Sequence, residues 1–422
     1  MRIAFFVHRF PVMSEVFIAN AAAGLIELGH DVDIYALDGL PEPRQQRHEI
    51  VSAYGLERRT RSFAMEGSPR RQAAAAPLAG LKVAAVYGSR IGAVANNSLF
   101  ADGHGGLKAL HEASMFRHGG RYDILHCQFG TLADPVLGHR RAGFLSGKVV
   151  VHFRGYDISQ FVEKHGSQVY ARVAREADAF IANCQFFRDR AIALGAAADR
   201  THVIASGVAL GSFGFTERAW TPGRRLRLLA VGRLVEKKGF RFAIEAVARL
   251  ASQGMDVELK IVGGGPLGDV LQSQAAMLGV SDRVEFAGAA TQSQIAQWLG
   301  DSHMFIAPST RAADGDSDAS INTLKEAMAT GCPFVTSDHG GIPELVEGVD
   351  AGVMVREGDA EALAEGIVQL LDRRSEWSAM GRRGREHVLS KYSIEAVSRD
   401  LVKIYTCLLA PAAGGTSAGG RQ

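Results

Sequence analysis

Short runs of apolar residues alternate with amphipathic stretches along most of the chain. In the first half, the runs that we predict as strands are 2–8, 32–37, 122–128, 147–155, 179–184 and 201–206. A helical pattern over 14–30, ended by Gly29, separates the first two. Strands that are apolar throughout and are separated by helices are typical of a parallel sheet covered on both faces. Residues 40–105 are rich in Arg, Ala and Gly, and there we predict loops and helices of variable packing.

The pattern breaks at 207–225, which is rich in Gly, Pro and polar residues, and then restarts. The second set of predicted strands is 226–233, 257–263, 283–288, 304–309, 333–337 and 352–355, and the helices are 240–253, 266–278, 291–300, 320–330 and 359–372. We therefore predict an α/β protein with two doubly wound, Rossmann-like domains, 1–206 and 226–390, and a linker between them. Helices at 375–390 and 394–409 complete the fold, and the tail 411–422 has the composition of a disordered segment.

Composition narrows the class of protein. Of 422 residues, 47% are hydrophobic and 22% are charged, and the formal net charge of +2 argues against a nucleic-acid-binding protein. Four dispersed cysteines without C-x-x-C spacing indicate neither a zinc site nor a redox pair, which fits a reducing cytoplasm. The N-terminus reads as a buried strand rather than a signal peptide, and the apolar window 73–95 is interrupted by Lys82 and Arg90. We expect a soluble or membrane-peripheral protein.

An arginine cluster gives two interpretations. It comprises Arg58, Arg59, Arg61, Arg70 and Arg71. Such a cluster is typical of a solvated loop, but it would also suit contact with anionic lipid headgroups.

Ligands of doubly wound sheets bind beyond the carboxyl ends of the strands, so residues that follow the strands are candidates for chemistry. After the first strand, Ser14 is a predicted N-cap, and His8 and Glu15 are expected to face the cleft between the domains. After the strand 147–155, the segment HFRGYD gathers His152, Arg154 and Asp157. Two interpretations of these residues stay open. They bind ligand, or they serve only as helix caps, surface charges or partners in internal hydrogen bonds.

The segment GRLVEKKG follows the first strand of the second domain. Arg233 and Lys238 lie five residues apart across a short loop, so both cations can converge on one diphosphate and stabilise it as a leaving group. Lys237 is expected to face solvent. The next strand ends in IVGGGPLG, where Gly263, Gly265 and Gly268 fit the dinucleotide pattern G-x-G-x-x-G. Because this pattern lies on an inner strand of its domain, we interpret it as a coincidence of spacing.

The stretch 307–333 contains the most specific pattern. A helix is predicted to open near Ser320, so that the amides of Ile321, Asn322 and Thr323 form an anion site. Inside that helix, Glu326 can accept two ribose hydroxyls, and Asp318 lies two turns earlier. Gly331 is a predicted left-handed cap. Asp314, Asp316 and Asp318 form D-x-D-x-D, which a polar loop explains better than a metal site does.

Together, the segments FPVMSEVFI, HFRGYD, AVGRLVEKKG, IVGGGP, 307–333 and DHGGIPELV resemble those of the GT-B glycosyltransferases of retaining family 4. FPVMSEVFI and AADGDSDAS most resemble the colanic-acid and amylovoran type of exopolysaccharide transferase. The resemblance covers nearly the whole chain. It implies two Rossmann-like domains that face a cleft, with the helix 394–409 packed back on the first domain.

The resemblance also implies roles for single residues. Arg233 and Lys238 would bind the diphosphate, Glu326 the ribose, and His152 the donor sugar near the reacting carbon. Asp318 stands where the family's E-x7-E motif has its first glutamate, and its side chain is one methylene shorter. The glycines Gly263, Gly264 and Gly265 would border the base and diphosphate. The acceptor side would include Ser14, Glu15, Arg154 and Asp157.

The implied activity is transfer of a hexose, with retention, from a UDP- or GDP-sugar to a lipid-linked or oligosaccharide acceptor. The resemblance implies no metal and no further cofactor, and a cytoplasmic site of action that extends to the inner face of the membrane. A sugar-nucleotide epimerase, a dinucleotide-dependent oxidoreductase and a non-catalytic sugar-nucleotide-binding partner remain as alternatives.

Overall fold

The computed structural model describes residues 1–39, 48–62, 69–100, 104–319 and 321–411. Two parallel sheets organise this part of the chain. The first has the strand order β3-β2-β1-β4-β5-β6-β7. Its strands are β1 (Arg2–Val7), β2 (Asp31–Ala36), β3 (Thr60–Ser62), β4 (Arg121–Cys127), β5 (Ser146–Phe153), β6 (Ala179–Ala182) and β7 (Thr201–Val203).

The second sheet is built the same way, in the order β10-β9-β8-β11-β12-β13. Its strands are β8 (Leu226–Val231), β9 (Val257–Val262), β10 (Val284–Gly288), β11 (Met304–Ala307), β12 (Phe334–Ser337) and β13 (Gly352–Val355). In both sheets the order reverses beside the first strand, and ligand crevices form at this switch point. The prediction of two doubly wound domains is confirmed.

Helices cover both faces of each sheet. In the first domain they are α1 (Val16–Glu27), α2 (Glu49–Ala53), α3 (Leu56–Arg59), α4 (Pro69–Tyr87), α5 (Gly106–Ala113), α6 (Ala133–Arg141), α7 (Gln160–His165), α8 (Ala171–Glu176) and α9 (Gln185–Ala193). After the linker follow α10 (Phe240–Ser252), α11 (Gly268–Met277), α12 (Gln292–Asp301), α13 (Asn322–Ala329), α14 (Ile342–Val346), α15 (Ala360–Asp372), α16 (Trp377–Tyr392) and α17 (Ile394–Leu409).

Strand periodicity decides which core each side chain enters. On β1, Ile3, Phe5 and Val7 pack into one hydrophobic cluster, whereas Ala4 and Phe6 pack into the cluster on the other face. Successive side chains of a strand point to opposite faces, so a strand covered on both sides needs apolar residues at every position. This is why the strands read as continuous apolar runs in the sequence.

The last helix, α17, packs on the first domain. Val397, Leu401 and Tyr405 join the same cluster as Ile3 and Phe5. Close approach of α17 to α1 requires Gly24, where a Cβ atom would lie 2.1 Å from Ser398 Oγ. The C-terminal end of the chain therefore completes the core that its N-terminal strand begins.

The two domains also contact each other through polar groups. The carboxylate of Glu344 accepts the backbone N–H groups of Gln185, at 2.5 Å, and Phe186, at 2.9 Å, where α9 begins. The Gln160 side chain donates to Asp314, and Ser159 Oγ donates to Asp316 Oδ1 at 3.2 Å. The acidic loop after β11 is thus bound to the first domain across the cleft.

Candidate active site

A cavity of about 410 Å³ lies between the carboxyl edges of the two sheets. The first domain contributes its residues 13, 14, 16, 17, 48, 154 and 183, and Ser206 leads into the linker. The second domain contributes the loops after β8, β9, β10 and β11 and the start of α13. The cavity occupies the place that doubly wound sheets reserve for ligands.

Arg233 lines this cavity without an internal partner. Within the described part of the chain its guanidinium makes no hydrogen bond or ion pair, although its charge reaches Glu15 and lowers the pKa of that carboxyl against the raising effect of burial. An unpaired guanidinium can bind a phosphate in a bidentate manner. Arg233 therefore remains available to an anionic ligand.

Lys238 also lines the cavity, and it is tied to Asp318. Its Nζ atom lies 2.8 Å from Asp318 Oδ2. Lys237 lies 2.9 Å from Asp316 Oδ2 and 3.6 Å from Asp318 Oδ1. Lys237 is only 8% exposed, so the prediction that it faces solvent is wrong. The tight turn over 236–238 directs both ammonium groups towards the acidic loop.

Asp318 is fixed from several sides. Ser309 Oγ donates to Asp318 Oδ2 at 2.7 Å, and the backbone N–H of Asp318 donates to His339 Nε2 at 3.1 Å. His339 Nδ1 then carries the ring proton and donates to Glu357 Oε2 at 2.5 Å. Burial alone would raise the pKa of Asp318, but Lys238 and Lys237 hold it well below its usual range. The carboxylate is charged and is held by the two lysines.

Glu326 is the unpartnered carboxylate of the site. It lies on α13, it is buried, and it lines the cavity. Its side chain makes no hydrogen bond within the described residues, and burial raises its pKa to about 7 against the lowering effect of Lys325. A buried carboxyl group whose acceptors point at a cavity is suited to receive ligand hydroxyl groups.

The start of α13 differs from the prediction by a residue or two. The helix begins at Asn322 with Ile321 as its N-cap, and Ser320 lies outside the described residues. Ile321, Asn322 and Thr323 all line the cavity. The first N–H groups of the helix lack intrahelical acceptors, so this end adds positive potential to the cavity. Gly331 has φ 76°, which agrees with the left-handed cap at the other end.

The glycines after β9 have a packing role. Gly263 and Gly264 line the cavity, whereas Gly265 does not. A Cβ atom on Gly263, at φ 141°, would lie 1.9 Å from the carbonyl oxygen of Gly232, and one on Gly265, at φ 159°, would lie 2.6 Å from that of Leu234. These glycines let the loops after β8 and β9 meet, which explains them without a dinucleotide.

On the first domain, Arg154 and Ser14 reach the cavity. The Arg154 guanidinium lies 4.4 Å above the Phe17 ring and donates through Nε to the carbonyl oxygen of Gln128 at 3.0 Å. Ser14 is not a helix cap, because α1 begins at Val16 and no side chain caps it. Glu15 does not line the cavity, and burial raises its pKa.

Two predicted site residues lie behind the wall of the cavity. Asp157 is fully buried and accepts the backbone N–H groups of Gly130, Arg154 and Gly155 at 2.7–2.9 Å, so it shapes the loop rather than contacting an acceptor. His152 is buried, does not line the cavity, and its Nε2 atom lies 2.8 Å from Asn183 Oδ1. Neither His152 nor Asp157 lines the cavity in this arrangement.

His152 lies near the end of β5, and its side chain points into the core of the first domain. Its ring stacks on His126 at 5.5 Å, and His126 Nδ1 lies 2.6 Å from the hydroxyl group of Tyr405 on α17. Burial, with the charge of Arg154, holds the pKa of His152 well below its usual range, so the ring is neutral. Asn183, which lines the cavity, is the residue that His152 orients.

Lys325 is a buried residue of the site that sequence reasoning missed. Its Nζ atom donates to the carbonyl oxygen of Ser206 at 2.8 Å and lies 4.8 Å from the Tyr392 ring. Burial lowers its pKa to about 7. The contact joins α13 to the start of the linker, and no spacing in the sequence indicates it, because the acceptor is a backbone carbonyl 119 residues away.

Two facing parallel sheets with a cavity between their carboxyl edges are the arrangement of the GT-B class of glycosyltransferase folds. The chain is similar to the solved structure of Anabaena HepE in complex with UDP and glucose, with a TM-score of 0.67 and 18% sequence identity. That match covers 96% of this chain and 100% of HepE.

Family models specify the class further. Residues 14–207 match the glycosyl transferase 4-like domain, and residues 225–373 match the glycosyl transferases of group 1. The putative colanic acid biosynthesis glycosyltransferase WcaL of Salmonella typhimurium is 31% identical over 96% of this chain and 99% of its own length. The amylovoran biosynthesis glycosyltransferase AmsK of Erwinia amylovora is 30% identical over 96% and 99%. The chain belongs to this glycosyltransferase family.

Proposed function

We propose that the protein transfers a hexose from a UDP- or GDP-sugar to a lipid-linked or oligosaccharide acceptor, with retention of configuration. The process served would be the synthesis of an exopolysaccharide or another cell-surface polysaccharide. The names of the relatives WcaL and AmsK support that process, and the UDP bound by HepE supports a nucleoside diphosphate as the leaving group.

One observation carries the proposal: an unpaired guanidinium and an unpartnered carboxylate face the same cavity. Arg233 would bind the diphosphate, and Glu326 would accept the ribose hydroxyls. Lys238 has two N–H groups besides the one given to Asp318, so it can bind a phosphate oxygen as well. Positive and hydroxyl-accepting groups are thus arranged as a nucleoside diphosphate requires.

The same cations serve the reaction. As the bond from the anomeric carbon to the diphosphate breaks, negative charge grows on the diphosphate, and Arg233, Lys238 and the start of α13 stabilise it. The diphosphate can then take the proton of the acceptor hydroxyl, which attacks from the same face. We expect no metal requirement, because the carboxylates of Asp316 and Asp318 are already paired with the ammonium groups of Lys237 and Lys238. Among the described residues no cluster of metal-ligating side chains occurs.

The first domain would hold the acceptor. Arg154 and Ser14 form the wall of the cavity opposite the residues that would bind the donor. Asn183 lies on the same wall and is hydrogen-bonded to His152. Asp157 would act by holding the loop that carries Arg154. We expect the protein to work in the cytoplasm and at the inner face of the membrane, where a lipid-linked acceptor would be found.

The test is acceptor-dependent turnover of donor. The purified protein is incubated with UDP- and GDP-hexoses, with and without membrane lipid extract or oligosaccharide acceptors, and release of nucleoside diphosphate is followed. We expect release that requires acceptor, persists in EDTA, and gives a product whose anomeric proton shows retention by NMR. Conversion of donor alone to an isomeric nucleotide sugar would instead indicate an epimerase, and an inverted product would refute the proposed mechanism.

A further inference from the structure

The outward face of α4 is apolar and exposed. Within the described residues, Ala76–Ala95 is the stretch that is long and apolar enough to cross a membrane by length and composition, yet only 17% of its most apolar part is buried. Leu78 is 61% exposed, Leu81 70% and Val86 57%. Residues three, four and seven apart share a face of a helix, so Leu78, Leu81, Lys82 and Ala85 lie side by side.

The opposite face fixes α4 to the domain. Ala79, Val83 and Tyr87, four residues apart, are buried in the cluster that also contains Leu110 of α5. A helix whose described part packs against the core of its domain in this way is not placed to cross a bilayer. An apolar outward face on such a helix instead suits a position in the plane of a membrane interface.

The charges on this segment have one sign. Residues 67–101 contain no Asp or Glu, and the exposed cations Lys82 and Arg90 accompany the apolar side chains. The neighbouring helix α5 adds exposed Leu107. An apolar surface with cations and no acidic residue is complementary to the acyl chains and phosphates of anionic lipids.

We propose that the outer face of α4 (Leu78, Leu81, Lys82, Ala85 and Val86) docks on an anionic lipid surface. The need for such docking rests on the proposed lipid-linked acceptor, but the surface itself does not. It is a different surface from the arginine cluster, in which Arg59 is paired with Asp31 at 2.8 Å. The side chains of Arg70 and Arg71 lie outside those the structure describes.

The experiment measures flotation of the full-length protein with vesicles. One set contains phosphatidylcholine alone and the other contains phosphatidylglycerol as well. A Leu78→Glu/Leu81→Glu variant is compared with Val270→Glu/Met277→Glu, because Val270, 62% exposed, and Met277, 81% exposed, form an equally exposed apolar pair on α11. Each protein is also tested for a thermal shift with UDP and GDP.

We expect the α4 variant to lose at least about tenfold in its partition onto anionic vesicles, because it replaces two apolar side chains with charges. The α11 variant should bind as the unaltered protein does. Lys82→Gln should weaken binding about fivefold on anionic vesicles only, since one cation near such a surface is worth about 1 kcal/mol. Nucleotide shifts should be the same in all variants.

Equal partition of the α4 and α11 variants would overturn the assignment, and so would failure of the unaltered protein to bind either vesicle. The unaltered protein could fail to bind vesicles and yet show a molecular mass in solution that rises with protein concentration. If Leu78→Glu/Leu81→Glu abolishes that rise, a second copy of the chain covers the face instead. If neither UDP nor GDP raises the melting temperature of any of these proteins, that result would count against the proposed function. It would not affect the conclusion drawn from vesicle binding.

Discussion

At the scale of the residue, Glu326 combines a function with a cost in stability. Its ordinary pKa is 4.5, and burial raises the pKa to about 7 in the folded protein. Between these values the folded state holds a proton that the unfolded state has released. Stability from this group is therefore full below pH 4.5 and falls as the pH rises to 7. A carboxyl group kept in this position despite the cost is typical of a binding site.

Glu326→Gln should therefore make the protein more stable and inactive. At pH 8 we expect about 3 kcal/mol of added stability, because the variant no longer buries a charge. The gain should vanish at about pH 3, where the native side chain is protonated in both the folded and the unfolded state. Urea unfolding at the two pH values measures this, and a gain that does not depend on pH would contradict the assigned burial of charge.

Arg233→Met should separate binding from folding. The guanidinium has no partner among the described residues, so unfolding free energy should change by less than about 0.5 kcal/mol. Affinity for a nucleoside diphosphate should fall by about 1.5–3 kcal/mol, which is the worth of a hydrogen bond to a charged group. Calorimetric titration measures the affinity. Arg249→Met, which alters an exposed arginine paired with Glu361, is the matched control and should bind normally.

Residue types and their positions after strands predict which groups can enter the cavity, and Arg233, Lys238 and Glu326 do line it. The same reasoning fails where the partner is remote. His152 and Asp157 lie at the end of a strand as well, but His152 Nε2 is paired with Asn183 and the Asp157 carboxylate with three backbone N–H groups. Lys237 is drawn to Asp316, which is distant in sequence. Such pairings depend on tertiary contacts that a spacing does not contain.

At the scale of the element, the start of α9 depends on the other domain. No side chain of its own segment caps it, and the carboxylate of Glu344 supplies the acceptors instead. A carboxylate at this end of a helix satisfies free N–H groups and complements the helix dipole. The cap thus links local helix stability to the closed arrangement of the domains.

Glu344→Ala should cost about 1 kcal/mol of stability, the usual worth of a helix cap. Its more specific effect should be faster hydrogen exchange at the amides of Gln185 and Phe186. Glu347→Ala, at the exposed residue that follows the same helix, is the control and should leave those amides protected. Unchanged exchange in Glu344→Ala would mean that the two domains do not hold this contact in solution.

Elements with strong periodicity are predictable, and those without it are not. Twelve strands were predicted from apolar runs, and the structure has a strand at each place. The edge strand Thr60–Ser62 was missed, because three polar residues carry no hydrophobic alternation. Over 40–105 the sequence predicts helices without definite bounds, since small residues dominate α4 and its described apolar side chains lie on both the buried and the exposed face.

At the scale of the whole molecule, the C-terminal helix makes the first domain dependent on the end of the chain. Tyr405 reaches His126 across 279 residues of sequence. Removing that hydroxyl group leaves a buried ring nitrogen unpaired, so Tyr405→Phe should lower stability by about 1–3 kcal/mol. Lys403→Gln, on the exposed side of α17, should have no effect. Thermal unfolding compares the two, and equal melting temperatures would mean that this contact adds nothing.

Two sheets and a cleft could be predicted from the alternation of elements, but not how the domains close. The contacts of Lys325 with Ser206 and of Glu344 with α9 join segments whose proximity only the assembled fold creates. Conformational closure of such a cleft would complete the site around the donor. The central question is therefore whether Arg233 and Glu326 bind one ligand together.

A thermal-shift screen answers it most directly. Purified protein, Glu326→Gln and Arg233→Met are each heated with UDP, GDP, ADP, their sugars and NAD, since a ligand that binds the folded state raises the melting temperature. We predict a shift with one nucleoside diphosphate and its sugars, which both variants lose. A shift with NAD alone, or a nucleotide shift that survives both substitutions, would contradict the assigned site.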